Sequence, residues 1–560
     1  MHEALFCPSD KFVECLRKDF GHGSIVCVCN EDRCDTVEPL EPMGDNEAII
    51  YTTGKSGDRF RRTTLNFTKA SGLSDQSRKY FEVPYVSTAV LISLQTEEEM
   101  QEIVGFGGAF TDAAGINIAS LSPLMQQQLL DSYYAPTGIE YTMGRIPMAS
   151  CDFSTRIYSY NDVDGDFDLS KFQLAQEDYK FKIPYIKYAQ SKAPIPIKLF
   201  ASPWSAPGWM KTGGKMYGNG TLIGTPGSKY YKTWALYFAK LKREPISLMR
   251  RFIEEYAKNN ITIWAVTMQN EPTTGFVYQY PFQTMGFSPP MQRDFLKMDL
   301  GPALVGSNVK IMILDDNRLM LPKWADVVWR TADAKLLRAK TLYSQVLNDP
   351  EARKFAAFIA VHWYLDELTP SLVLQTTHER HPDVPMIATE ACEGWKVTET
   401  RGPILGSWLR ARNYIRSIIE ARGDDEDLNN WFTGWVDWNL ALDLQGGPNW
   451  VRNFVDSPII VDADNNIFYK QPMYYALGHF SKFLPPGSKR IAHKANLTDH
   501  RRLQIVAFKR KDGLIALIVH NEMEEPLPVT IPLPRSNILH FSVPASSIQT
   551  ILWKQDGNNG

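Results

Sequence analysis

What most constrains this 560-residue chain is a rhythm across its middle. Short apolar runs alternate with longer segments whose apolar spacing suits amphipathic helices. The runs are IVGFGGA (103–109), YTMGRIPM (141–148), IKLFASPW (197–204) and ITIWAVTMQ (261–269), then VKIMILDD (309–316), FIAVHWY (358–364), PMIATEA (385–391) and FTGWVDWN (432–439). Stretches such as SPLMQQQLLDSYYA and LMRRFIEEYAKNN lie between them. A strand–helix unit repeated eight times predicts an α/β fold, a (β/α)8 TIM barrel whose chemistry sits at the C-terminal ends of its strands.

The flanks read differently. VPYVSTAVLISL (83–94) precedes the barrel; LQIVAFKRKDGLIALIVH (503–520) and SIQTILW (547–553) follow it. The two apolar runs around KRKDG signal a hairpin. These pieces predict an accessory antiparallel β-sandwich built from both chain ends. The expected units are a disulfide-rich N-terminal segment (1–40), the sandwich (41–99 with 456–560) and the catalytic barrel (100–455).

Charge and hydropathy narrow the partners. A net charge of −3 supplies no basic field for nucleic acid. The chain has no run of about 18 apolar residues, so a peripheral rather than transmembrane protein is expected. Five of the seven cysteines, Cys7, Cys15, Cys27, Cys29 and Cys34, crowd into the first 34 residues. That crowding reads as a disulfide knot, because CVCNEDRC lacks the paired C-x-x-C spacing of a zinc site. N-x-[ST] sequons at Asn66, Asn219, Asn260 and Asn496 add weaker support for a secretory route. The opening MHEALFCPSDKFVEC has no continuous apolar leader, so the targeting segment is expected to lie outside this sequence or to take an unfamiliar form.

Strand tips are where a barrel keeps its reactive groups. The fourth run ends in Asn270 and Glu271, and the seventh carries Glu390. Asp112, Asp152, Asp315, Asp316 and Asp437 stand at other tips, where a lone carboxylate is commonly a helix cap or a loop ion pair. Strands four and seven face each other across a barrel mouth. Two glutamates there suit glycoside cleavage, which needs one carboxyl group to protonate the leaving oxygen and another to attack. Pro272 has no N–H to give a ladder, so the strand ends at Glu271. With no HExxH motif and no His/Cys cluster in the barrel, neither a metal nor a cofactor is expected.

Eight segments in order, GFGGAFTDAAG, RIPMASCDFS, LFASPW, WAVTMQNEP, AVHWY, TEACEG, GWVDWNLAL and GGPNWVRNFVDSPII, resemble glycoside hydrolase family 30, in particular its glucosylceramidases. The resemblance runs from the cysteine cluster to SIQTILW. It implies a retaining β-glucosidase acting on glucosylceramide in the lysosome, with a saposin-type activator and anionic lipid as partners. It makes Glu271 the acid/base, Glu390 the nucleophile and Arg145 the nucleophile's electrostatic support. Asp152, Trp204, Asn270, Trp438 and Asn453 match positions that bind glucose, and Tyr364 matches a tyrosine at the mouth. A packed structural histidine is at least as good a reading of His362. The resemblance also implies Cys15–Cys27 and Cys29–Cys34 disulfides, with Cys7 left over and Cys151 and Cys392 free.

The chain departs from the family pattern at Glu393, a charge close to the nucleophile where the pattern is uncharged, and in longer connections at 241–251 and 329–352. The longer connections bear on lipid access and aglycone choice. The rival readings are a same-fold enzyme for another β-glucoside, sterol or aryl, and a non-catalytic glycoside-binding or trafficking protein.

Overall fold

The computed structural model describes residues 13–69, 89–239, 251–326, 346–419, 428–497 and 503–555. Cys7 and most of the two longer connections lie outside the described residues, as does the first part of the run at 83–94.

Eight parallel strands close a barrel: β1 Gly105–Ala109, β2 Met143–Met148, β3 Lys198–Pro203, β4 Ile263–Thr267, β5 Lys310–Asn317, β6 Ala356–His362, β7 Met386–Glu390 and β8 Phe432–Asn439. Each pairs with the next, and β8 returns to β1. Every residue of β1, β2, β7 and β8 is buried, which is why these runs read as continuously apolar rather than alternating. Met143, Phe200, Ala265, Met312, Phe358, Ala360, Ile387 and Val436 form a cluster of their own. Seven successive strands feed that cluster, so it fills the lumen and leaves the C-terminal rim for polar groups. Gly107 permits a close strand contact: a Cβ there would lie 2.2 Å from the Met143 carbonyl oxygen.

Helices cover the barrel as the apolar spacing predicts. The helix Trp408–Ile419 buries Trp408, Ala411, Tyr414, Ile415, Ile418 and Ile419. At the start of helix Asp112–Ala119, the Thr111 hydroxyl accepts from Ala114 N and satisfies one orphan donor.

Strands from both chain ends form a ten-stranded sheet. Glu47–Gly54 pairs with Ser547–Lys554, which pairs with Leu514–Asn521, and that strand forms the expected hairpin with Leu503–Lys509. Val90–Glu102 joins the sheet's two halves and shifts register as it crosses. The cysteine-rich segment does not stand alone: Ile25–Cys29 pairs with Ile467–Lys470, which pairs with Ile459–Asp462. Cys15–Cys27 and Cys29–Cys34 are disulfides, while Cys151 and Cys392 are free and buried. Among the described residues, no helix is long and apolar enough to cross a membrane.

Candidate active site

The rim of the barrel brings the two glutamates together. Beyond Thr267 the tip of β4 still bridges its neighbours: Asn270 N donates to the Pro203 carbonyl at 2.9 Å, and Glu271 N to that of Asp315 at 2.8 Å. Glu390 is the last residue of β7. Ligand atoms of Glu271, His362 and Glu390 all lie within 4.8 Å of one another.

Arg145, on β2 and wholly buried, ties the site together. Its Nη1 donates to Glu390 Oε2, Nη2 to Asn270 Oδ1 at 2.8 Å and Asp315 Oδ2 at 3.0 Å, and Nε to Ser202 Oγ at 3.2 Å. A planar five-donor fork reaches all four; an ammonium does not. Burial opposes the charge, but Asp315 and Glu390 outweigh it and raise the pKa. A guanidinium only donates, so Asn270 turns its oxygen to Arg145 and its Nδ2 protons away from it.

Tyr364 holds the other carboxylate oxygen of Glu390, donating from Oη to Oε1 at 2.7 Å. Burial pushes its phenol up, so it stays a donor. The rings of Trp204 and Trp438 stack with centroids 5.1 Å apart, and the Arg145 guanidinium lies 5.0 and 5.3 Å from them. Asp152 accepts from Asn453 Nδ2 at 2.9 Å and Asn449 Nδ2 at 3.2 Å. Burial pushes its carboxyl up to about 7, with Asn453 opposing and Glu390 adding to the rise. Trp204, Trp438, Asp152 and Asn270 are each more than nine-tenths buried, an arrangement able to grip a polyol and two faces of carbon.

Residues 103–484 match the glycosyl hydrolase family 30 TIM-barrel domain, and residues 487–551 match that family's beta sandwich domain. The chain belongs to glycosyl hydrolase family 30. Lysosomal acid glucosylceramidase of Mus musculus is 45% identical over 97% of this chain and 96% of its own length. Putative glucosylceramidase 4 of Caenorhabditis elegans is 42% identical over 91% of this chain and 88% of its own. Among solved structures, SrfJ from Salmonella typhimurium superposes with a TM-score of 0.73 at 25% identity, covering 91% of this chain and all of that one.

Three residues of this family 30 site, Asp315, His362 and Tyr280, have roles that no residue pattern assigns. Asp315, visible only as one more strand-tip carboxylate, accepts from Arg145, from Thr389 Oγ1 at 2.8 Å and, at 3.1 Å, meets His362 Nε2. Burial works against its charge, yet Arg145 and His362 hold it well below the ordinary carboxylate range. Leu314 and Asp315 both take positive φ, 70° and 60°, where the β5–β6 register shifts. That bulge turns the aspartate inward, and no residue pattern announces it. His362 is the second. Its other ring nitrogen meets Glu271 Oε1 at 3.3 Å, so it links the glutamate to Asp315 rather than merely packing. Burial lowers its basicity, but Glu390, Asp315 and Glu271 push it up to about 10. Tyr280, whose Oη lies 3.5 Å from Glu271 Oε2, comes from a loop with no sequence signal. Glu393 turns aside: Asn413 Nδ2 donates to it at 3.0 Å.

Proposed function

We propose that this family 30 enzyme hydrolyses glucosylceramide to glucose and ceramide with retention, Glu390 being the nucleophile and Glu271 the acid/base. The carrying observation is the proximity of the two carboxylates, within 4.8 Å, which suits direct attack and falls short of the roughly 6.5–9.5 Å by which an inverting pair makes room for its water beside the sugar. Glu390, held by Arg145 and Tyr364, attacks the anomeric carbon. The bond to the ceramide oxygen breaks as Glu271 gives that oxygen its proton. Glu271, now ionised, takes a proton from water as the water attacks the same carbon and Glu390 leaves. Asp152, Asn270 and Asn453 bind sugar hydroxyls, and Trp204 and Trp438 meet the ring. His362 orients Glu271.

The lipid substrate rests on the likeness to the glucosylceramidases, as does the reading of a lysosomal glycoprotein aided by a saposin-type activator and anionic lipid. The sequon residues Asn66, Asn219, Asn260 and Asn496 are exposed, as acceptors must be.

The test is hydrolysis of a fluorogenic β-glucoside at acid pH. Glu390→Gln is expected to abolish turnover, and Glu271→Gln to lower it roughly 10²- to 10⁴-fold. A 2-deoxy-2-fluoroglucoside should label the peptide that contains residues 385–395; a label elsewhere removes Glu390 from its role. Liposomal glucosylceramide, with and without activator and anionic lipid, distinguishes a lipid hydrolase from a general glucosidase.

A further inference from the structure

Glu271 has an unusual backbone. It sits at φ +42°, in the left-handed region that residues with a Cβ avoid, and it precedes Pro272, which restricts it further. Contacts outside the dipeptide have to hold it there. Its N–H donates to the Asp315 carbonyl, and Thr273 N and Oγ1 donate to Asp316 Oδ2 at 3.0 and 2.6 Å. Its carbonyl accepts from Thr274 N at 3.0 Å and from Thr274 Oγ1 at 2.7 Å. A threonine has one hydroxyl proton, and that of Thr274 is spent on this carbonyl. The 2.6 Å contact between the Thr274 and Thr284 hydroxyls is therefore donated by Thr284.

Thr284 is pinned in turn by Lys211, a 2% exposed lysine in the loop after β3. Lys211 Nζ donates to the carbonyls of Thr284 and, at 3.1 Å, Met216. Among the described residues it makes no ion pair. A buried ammonium without a counterion is costly, and burial brings this one down to about 7, so the carbonyls are what it is there to hold. Around it the two loops are laced together: Thr284 N donates to Met216 O at 3.0 Å, Gly220 N to Gly275 O and Gly286 N to Gly220 O, both at 2.8 Å. A Cβ on Gly275 would lie 1.9 Å from Gly286 N.

We propose that Lys211, Thr284 and Thr274 are positioning residues for the acid/base carboxylate: the lysine fixes Thr284, and the two hydroxyls fix the Glu271 carbonyl and with it the backbone that aims the side chain at the leaving oxygen. The inference rests on Glu271 being the proton donor.

Its test uses leaving groups. A 2,4-dinitrophenolate departs from a β-glucoside without a proton, whereas an alkoxide from an alkyl β-glucoside requires one. In Thr274→Val, Thr284→Val and Lys211→Met, kcat/KM on the alkyl glucoside should fall roughly tenfold or more while that on the dinitrophenyl glucoside stays within about twofold. Thr274→Ser should restore the parental ratio. General loosening of the fold would lower both substrates alike. The two threonine variants are nearly isosteric and carry the test if Lys211→Met fails to fold. Glu271→Ala is the control: it should lose the alkyl glucoside, keep kcat/KM on the dinitrophenyl one, and turn over faster with azide, which attacks the glucosyl-enzyme directly. A control that fails overturns the proton-donor assignment itself. A control that behaves, beside threonine variants whose ratio is parental, overturns the positioning role.

Discussion

At the residue scale, the site works because every charged group in it has a stated partner. Arg145 meets Glu390 and Asp315, and His362 spans Asp315 and Glu271. His362→Asn removes the imidazole that steadies Glu271 and leaves Asp315 with Arg145 and the Thr389 hydroxyl. The expected result is a kcat lower by roughly 10- to 100-fold with KM little changed, measured on a fluorogenic β-glucoside, because misaimed catalytic groups cost chemistry more than binding. A parental kcat would return His362 to simple packing. Glu271, Glu390 and Asn270 were legible in the sequence because polar groups and a chain-breaking proline at the end of a buried apolar run are out of place unless they face a site. Asp315 and His362 were not. Their roles come from a bulge and from partners 47 to 170 residues away in the chain, and pairing of that kind leaves no local mark.

At the element scale, the barrel's tolerances are set by backbone approach. Gly107 in β1 faces the Met143 carbonyl of β2, and a methyl group there would sit at 2.2 Å. Gly107→Ala must push two paired strands apart, both of which are buried on each face. The expected cost is about 1–3 kcal/mol or more, read as a lowered denaturation midpoint. An unchanged midpoint would mean that the strands separate freely. All eight strands were legible from their runs because a parallel sheet covered on both faces favours apolar side chains along most of each strand. Their ends were less so. The run at 261–269 extends past the strand that stops at Thr267, since Met268 and Gln269 are buried beyond its last residue. The length of Val90–Glu102 also exceeded its apolar signal, because its second half is exposed and charged.

At the scale of the whole molecule, buried titratable groups set how stability varies with pH. Burial raises Asp152 to about 7, Glu393 to about 7 and Asp437 to about 8. From about pH 4 upward the unfolded chain releases these protons while the folded one keeps them, so stability falls as pH rises through that window. His479 and His520, lowered by burial to about 3, act oppositely below about 6.5, where the unfolded chain binds protons that the folded one refuses. Burial also raises Asp178, Asp299 and Asp456, so the raised carboxyls outnumber the lowered histidines and the net direction is a fall in stability as pH rises. Between about pH 6.5 and 7 the fall steepens, because the two histidines drop out and His362, with its proton held up to about 10, joins the carboxyls; above about 7 Asp152 and Glu393 ionise in the folded chain too, and the fall eases to what Asp437 and His362 sustain. Lys211 begins to oppose them only above about 7. Thermal melting should therefore show a higher Tm at pH 5 than at pH 7.5, and Asp437→Asn should flatten the difference. A Tm that rises over that interval would contradict it. The sequence by itself determined the barrel, the sandwich drawn from both ends and the pair of glutamates, because periodicity and chain-breaking residues act locally. Only the tertiary structure decided which groups share a proton, a charge or a hydroxyl with that pair: contacts across a closed barrel depend on register and loop interlacing, to which distant parts of the chain contribute together.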